Sequence, residues 1–224
     1  MTRTEALCSR PLIRCLVREA RVQHEDKALM SQAPESALHQ RLAEMVRASN
    51  WFMAALTAAR ALRLSSWCIG AGAVRNLVWD HLHEFRQPSF LADVDVAYFD
   101  PGDLSAERDE ELRGALAEKL VQIPWEVTNQ AAVHQWFEAY FGHSVAPLNS
   151  LYEAIASWPE YATAVGVTLM DDQTIEVIAP HGLDDLFALV VRRNPIRASI
   201  GTYRQRVAQK RYTERWPKVQ VIPC

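Results

Sequence analysis

The sequence predicts an α/β (α+β) fold, a small mixed β-sheet flanked by helices and followed by a helical C-terminal part. Three observations carry that expectation. Between residues 67 and 128, short apolar strands alternate with amphipathic helices. Two further apolar runs, 165–170 and 174–178, are separated only by Asp171-Asp172-Gln173 and read as a β-hairpin. Beyond residue 196 the chain turns helical and basic. The later βα units are too few for a doubly wound parallel sheet.

Each element has its own warrant. Leu38, Leu42, Met45 and Val46, then Phe52, Leu56 and Ala59, recur at spacings of three and four, giving one or two amphipathic helices over 36–63. Trp67-Cys68-Ile69 is a short buried strand. A helix over 72–83 buries Val74, Leu77, Val78 and Leu82 and turns Arg75, Asn76 and Trp79 to its other sides. Residues 93–99 form the second strand, and Asp100-Pro101-Gly102-Asp103 breaks it. A helix on Leu112, Leu116 and Leu120 follows, then Pro124 introduces a third strand over 125–128. Ser150 and Glu153 have the spacing of a capping box, opening a short helix that Pro159 follows. Residues 183–191 read as a helix.

Composition bounds the rest. A chain of 224 residues, 49% apolar and 23% charged, suits one soluble domain with a small appendage. No apolar run approaches the ~18–20 residues that span a bilayer, so no membrane partner is expected. Residues 1–35 read as an N-terminal extension, a weak helix or disordered, and 36–224 as the domain. The first 27 residues mix Arg3, Arg10, Arg14, Arg18, Arg21 and Lys27 with Glu5, Glu19, Glu25 and Asp26, which is not the pattern of a secretory signal. Cys8, Cys15, Cys68 and Cys224 lack metal-type spacing, so reduced thiols and a cytoplasmic location are expected. The net charge of −3 conceals a basic stretch: from Arg192 to Lys218 nine Lys and Arg face a single acid, Glu214. Such a stretch either binds a triphosphate or nucleic-acid backbone, or folds back onto the acidic body.

The chemistry concentrates between residues 70 and 95. Gly70-Ala71-Gly72 turns from a strand into a helix, whose first N–H groups and positive dipole end suit a phosphate. Asp93 and Asp95 alternate along the next strand and so leave one face of the sheet together. Two such carboxylates repel unless a cation sits between them, and Mg²⁺ or Mn²⁺ shared with substrate phosphates relieves that repulsion. Phosphoryl or nucleotidyl transfer follows. A rival reading takes Gly70-x-Gly72 with Asp93 as a dinucleotide-binding βαβ start. Against it, Arg75 stands where close helix–strand packing wants a small residue. Asn129 and Gln130, just past the third strand, are placed either to read a base or sugar or to form a turn. Asp184 and Asp185 cap a helix on this reading, and His81 and His83 face apart.

The stretch from Gly70 to Asn76 followed by Asp93-Val94-Asp95 resembles the signature of the polymerase-beta-like nucleotidyltransferase superfamily. Gly-Gly-x-Val-Arg-Asp before Asp-x-Asp marks its CCA- and poly(A)-adding branch. Together with 125–131, 158–167 and 179–187 it is similar to a family of uncharacterised bacterial nucleotidyltransferases, over roughly 36–218. The resemblance implies a nucleotidyltransferase-like core, Mg²⁺ or Mn²⁺, a nucleoside triphosphate, and an acceptor hydroxyl whose identity it does not supply. A nucleic acid or another anionic molecule is the acceptor toward which the basic stretch leans. It implies catalytic and metal-holding roles for Asp93, Asp95 and a third carboxylate, either Glu126 or Glu176, with Glu126 favoured by element order. Gly70, Ala71, Gly72, Arg75, Asn76 and Asn129 are the substrate-binding candidates. Ala71 departs from the Gly-Ser that many members carry, leaving backbone N–H groups alone at the turn. That departure keeps a second reading open, a nucleotide- or macromolecule-binding module without catalysis.

Overall fold

A computed structural model describes residues 36–224, so the expected extension over 1–35 lies outside the described residues. Two helices lead in. The first, α1, covers residues 36–48 and buries Leu42, Met45 and Val46, while α2 (Asn50–Arg60) buries Phe52, Ala55, Leu56, Ala58 and Ala59. Both take the apolar stripe that the spacing predicts.

The chain then alternates β1 (Trp67–Gly70), α3 (Gly72–Leu82), β2 (Val94–Tyr98), α4 (Ala106–Lys119), β3 (Trp125–Asn129) and α5 (Val133–Phe141). After α6 (Leu151–Ala156) and a 3₁₀ turn over Tyr161–Thr163 comes the expected hairpin, β4 (Gly166–Leu169) and β5 (Ile175–Ile178). Five strands form one mixed sheet in the order β3-β2-β1-β4-β5, parallel only between β2 and β3. One face carries Ile69, Val94, Val96, Val127, Val167 and Leu169 into the main core, which α2, α3 and α4 cover. The opposite face carries Asp95, Ala97, Cys68 and Gly166, with α6 packed on part of it through Leu151 and Ile155.

Two expectations change, and one helix is added. Residues 183–191 do not form one helix: α7 is the four-residue Asp184–Phe187, and the chain then extends into β6 (Val190–Val191), parallel to β7 (Gln220–Val221). The helix α5 has no counterpart among those expectations, although Val133, Trp136, Phe137, Tyr140 and Phe141 recur at spacings of three and four, and Gly142 at φ +75° ends it. Arg75, Asn76 and Trp79 are not on free sides of α3 but buried. The reason is a second cover, α8 (Ile200–Lys210) and α9 (Tyr212–Arg215), whose tail lays Tyr212 and Trp216 edge-on against Trp79 at 5.8 and 5.2 Å. Edge-to-face ring pairs of this kind add about 0.5–1.5 kcal/mol each beyond burial. At α6, Ser150 accepts from Glu153 N as the capping box requires, but Glu153 Oε2 takes the N–H of Asn149 rather than that of Ser150. Among the described residues no helix is long and apolar enough to cross a membrane.

Candidate active site

The register of β2 on β3 builds the site. Asp95 pairs with Glu126 in parallel, so both side chains leave the same face, and Asp93 two residues earlier shares it. Gly70, one residue beyond the Ile69–Val96 pair, continues this row, and Gly166 and Ile178 extend it. Glu176 shares the face but stands on edge strand β5, three strands from β2 and hence roughly 14 Å away across the sheet. The register therefore groups Glu126, and not Glu176, with the aspartates.

A cleft of about 290 Å³ lies over the acidic end of the row, lined by Ala71, Gly72, Arg75, Asp93, Asp95 and Glu126. Thr128, Gln130, Trp158, Arg206 and Lys210 complete much of its wall. Burial, followed by the charges of Asp93 and Glu126, pushes the Asp95 carboxyl up to about 7. Burial and the charge of Asp93 also raise Glu126, while Lys210 opposes that rise. This is the electrostatic signature of carboxylates gathered without enough positive charge.

The turn that opens α3 is strained. Ala71 sits at φ +48°, ψ −114°, a region that a side chain disfavours, and its N–H donates to Val165 O at 3.0 Å. Ala71→Gly is therefore expected to stabilise the fold by about 1 kcal/mol, checked by urea unfolding; a loss of stability would show that the turn is unstrained. Gly72 needs no such conformation. A Cβ there would stand 3.7 Å from both Arg75 Nη2 and Asp93 Oδ1, facing the space that a phosphate would need.

Arg75 is 3% exposed and enclosed by Trp79, Tyr212 and Trp216, its Cζ 5.5, 5.2 and 5.4 Å from their ring centres. Burial lowers its pKa, against the opposing charges of Tyr212 and Glu160. Its Nη2 donates to Asn76 Oδ1 at 2.7 Å, and its Nε is buried without a partner among the described residues.

Three predicted site residues do not face the cleft. Gly70 is buried in β1, and a Cβ on it would meet the Trp158 ring at 2.6 Å and Val165 O at 2.9 Å. Its missing side chain seats Trp158, which becomes a wall of the cleft. Gly70→Ala is expected to cost about 1–3 kcal/mol by overpacking, measured as a lower denaturation midpoint; an unchanged midpoint would show that the indole yields freely. Asn76 spends its amide on Arg75, Ser89 Oγ and Phe90 O. Asn129, wholly buried, donates to Asp100 O and Asp103 O and accepts from the N–H groups of Asp100 and Ala131. It closes the loop after β2 rather than meeting a ligand.

Two cleft residues were not singled out in the sequence. Arg206 and Lys210 lie one helical turn apart on α8, with Thr202 a turn before them, and that 4-residue spacing inside the basic stretch was the available signal. Arg206 is held by a bidentate pair to the fully buried Glu160, Nε to Oε1 at 2.7 Å and Nη2 to Oε2 at 3.1 Å. Thr163 Oγ1 adds a bond to the same carboxylate at 2.9 Å. Burial would raise Glu160, yet the Arg206 guanidinium holds it below the usual carboxylate range. Contrary to expectation neither Asp184 nor Asp185 caps α7, whose N-cap is Leu183 without a side-chain bond; both lie in its first turn and Asp185 pairs with Arg192, so the basic stretch partly folds onto acids as well as lining the cleft.

Among the described residues no three His, Cys, Asp or Glu side chains are drawn together as a ready-made metal cage. The donor chemistry still fits a hard divalent cation. Asp93, Asp95 and Glu126 offer carboxylate oxygens only, in a cleft where none of them has an ion pair among the described residues.

A five-stranded mixed sheet, with a helix start beside an Asp-x-Asp strand and a third carboxylate in register, defines the nucleotidyltransferase class of fold. The chain belongs to the nucleotidyltransferase family, whose match runs over residues 57–221. Among solved structures it is similar, at 32% identity and a TM-score of 0.71, to one described as "The NMR structure of the protein reveals a CCA-adding enzyme head domain". That match covers 83% of this chain and 96% of the other. A structure described as "tRNA-processing enzyme (apo form I)" is similar at 15% identity and a TM-score of 0.45, covering 84% of this chain and 43% of its own. A search of the curated proteins returns no significant match.

Proposed function

We propose that this nucleotidyltransferase takes a nucleoside triphosphate, with Mg²⁺ or Mn²⁺, and transfers the nucleoside monophosphate to an acceptor hydroxyl. The observation that carries this reading is the β2–β3 register, which sets Glu126 beside Asp95 and Asp93 at the mouth of a helix. Asp93 and Asp95 would hold the metal, with Glu126 as a third ligand. Bound there, a divalent cation supplies charge neutralisation on the triphosphate and acidifies a nearby hydroxyl.

The chain's own residues supply the positioning. The α3 N-terminus, open at Gly72 because no side chain fills the space, offers N–H groups to phosphate oxygens. Arg75 presents a guanidinium at the same spot, fixed by three aromatic rings. Lys210 faces it from α8 and favours the negative charge that builds on the leaving pyrophosphate, while Arg206 beside it is held by Glu160. Glu126, as the third ligand, would stand beside the attacking hydroxyl and help position it for loss of its proton. The relative described as a CCA-adding enzyme head domain supports a nucleic-acid end as acceptor, as does the basic α8.

The test is a screen of the four ribonucleoside triphosphates for Mg²⁺-dependent binding and for pyrophosphate release with candidate acceptors, single-stranded RNA ends first. Release that requires metal and acceptor supports transfer. Binding without release with any acceptor would instead leave the non-catalytic module, the reading that the missing hydroxyl at Ala71 keeps open.

A further inference from the structure

A second pocket of about 270 Å³ opens from the far end of the cleft and shares Asp95, Thr128, Gln130, Trp158 and Arg206 with it. Its outer wall is aromatic and comes from α5. The Trp136 and Phe137 rings lie near parallel with centres 6.4 Å apart, and Phe141 lies 4.4 Å from Phe137. Arg197 sets its guanidinium 5.7 Å from the Phe137 ring centre. Trp136 and Phe141 stay 38% and 42% exposed at this mouth, although Phe137 between them is buried.

Gln130 forms the polar floor. It is 9% exposed, yet its amide is weakly engaged: Nε2 reaches Thr128 O and Oε1 receives Trp158 Nε1, both at 3.5 Å. Bonds that long leave a buried amide with a donor and an acceptor to offer. The ligand that matches is flat and apolar on its faces and alternates donors and acceptors on its edge. A plain hydrocarbon would leave Gln130 unsatisfied, and a bare phosphate would waste the aromatic wall. Arg197 and Arg206 line the same pocket, Arg206 held in place by Glu160.

We propose that this pocket is a nucleobase subsite, in which a base stacks against the α5 aromatics and Gln130 reads its edge. The proposal deepens the nucleotidyl-transfer reading and rests on it. The base belongs either to the incoming triphosphate or to the terminal nucleoside of the acceptor.

Calorimetric binding in Mg²⁺ separates the two sources. Wild type, Trp136→Ala and Gln130→Ala are each titrated with the four nucleoside triphosphates, inorganic tripolyphosphate, free adenosine and cytidine, and a short single-stranded oligoribonucleotide. If the base is the triphosphate's, at least one nucleotide binds wild type tenfold or more tighter than tripolyphosphate. Both variants then erase that preference and leave tripolyphosphate affinity unchanged. If the base is the acceptor's, nucleotides and tripolyphosphate bind alike, and the variants weaken the oligoribonucleotide tenfold or more. Changes below twofold in every arm would overturn the subsite. Failure of wild type to bind any triphosphate would overturn the transfer reading instead, and the nucleosides and oligoribonucleotide would still decide the pocket.

Discussion

Asp95→Asn is expected to abolish metal-dependent triphosphate binding and turnover, a loss of at least about a thousandfold in rate, while making the metal-free protein more stable. Both halves come from one cause. Asp95 sits in a row with Asp93 and Glu126, and burial with those two charges pushes its carboxyl up to about 7. An unfolded chain would ionise the same group near 3.9. Below about pH 4 both states are protonated and wild type carries no penalty. Between about pH 4 and 7 the unfolded state ionises first, so wild-type stability falls as pH rises, and above 7 the penalty is complete. The asparagine variant escapes it. Its advantage should reach about 1–3 kcal/mol at pH 8 in chelator, after discounting for solvent near the cleft, and vanish below pH 4. Urea melts at pH 4 and pH 8 measure it. A variant less stable than wild type at pH 8 would mean that Asp95 is engaged in a favourable pair and not in a repulsive row.

Glu126→Gln should separate rate from binding. Its side chain leaves the same face as Asp95, and as the proposed third ligand it would position the attacking hydroxyl. A role expressed mainly in the transition state lowers turnover with little effect on affinity. The expected result is a hundredfold or greater fall in pyrophosphate release with triphosphate affinity within about threefold of wild type. Glu176→Gln, on the edge strand, should change neither beyond twofold. Equal effects of the two substitutions, or a fall in triphosphate affinity alone, would remove the hydroxyl-positioning role from Glu126.

What the sequence disclosed was whatever depends on local pattern. The alternation Asp93-Val94-Asp95-Val96 placed two carboxylates on one face, and the turn at Gly70-Ala71-Gly72 placed a helix start near them. Both follow from strand and helix periodicity. The third carboxylate needed tertiary information, because Glu126 and Glu176 look alike as lone acids in apolar strands. Only the strand order, with β3 beside β2 and β5 at the opposite edge, distinguishes them. Gly70 misled for a physical reason: a glycine at a turn reads as room for phosphate, whereas here it makes room for Trp158, distant in sequence. Asn76 and Asn129 stand next to the site in sequence, but burial obliges each to spend its amide on backbone and neighbours, and Asn129 takes the turn-forming of its two readings. Arg75 was legible as a cleft residue and not as a buried one, since its enclosure depends on Tyr212 and Trp216 more than 130 positions away. The basic stretch folds back onto acids at Arg192 with Asp185 and at Arg206 with Glu160, while Lys210 lines the cleft.

Asp93, Asp95 and Glu126 would together hold one cation site, completed by a triphosphate at the α3 N-terminus. Electron paramagnetic titration of Mn²⁺ tests it without needing the acceptor. Wild type is titrated alone and with a non-hydrolysable nucleoside triphosphate, beside Asp93→Asn, Asp95→Asn and Glu176→Gln. The expected result is that triphosphate tightens Mn²⁺ binding to wild type and to Glu176→Gln by tenfold or more, and that both aspartate variants lose this gain. Equal Mn²⁺ retention by wild type and the two aspartate variants, with triphosphate present, would contradict the account.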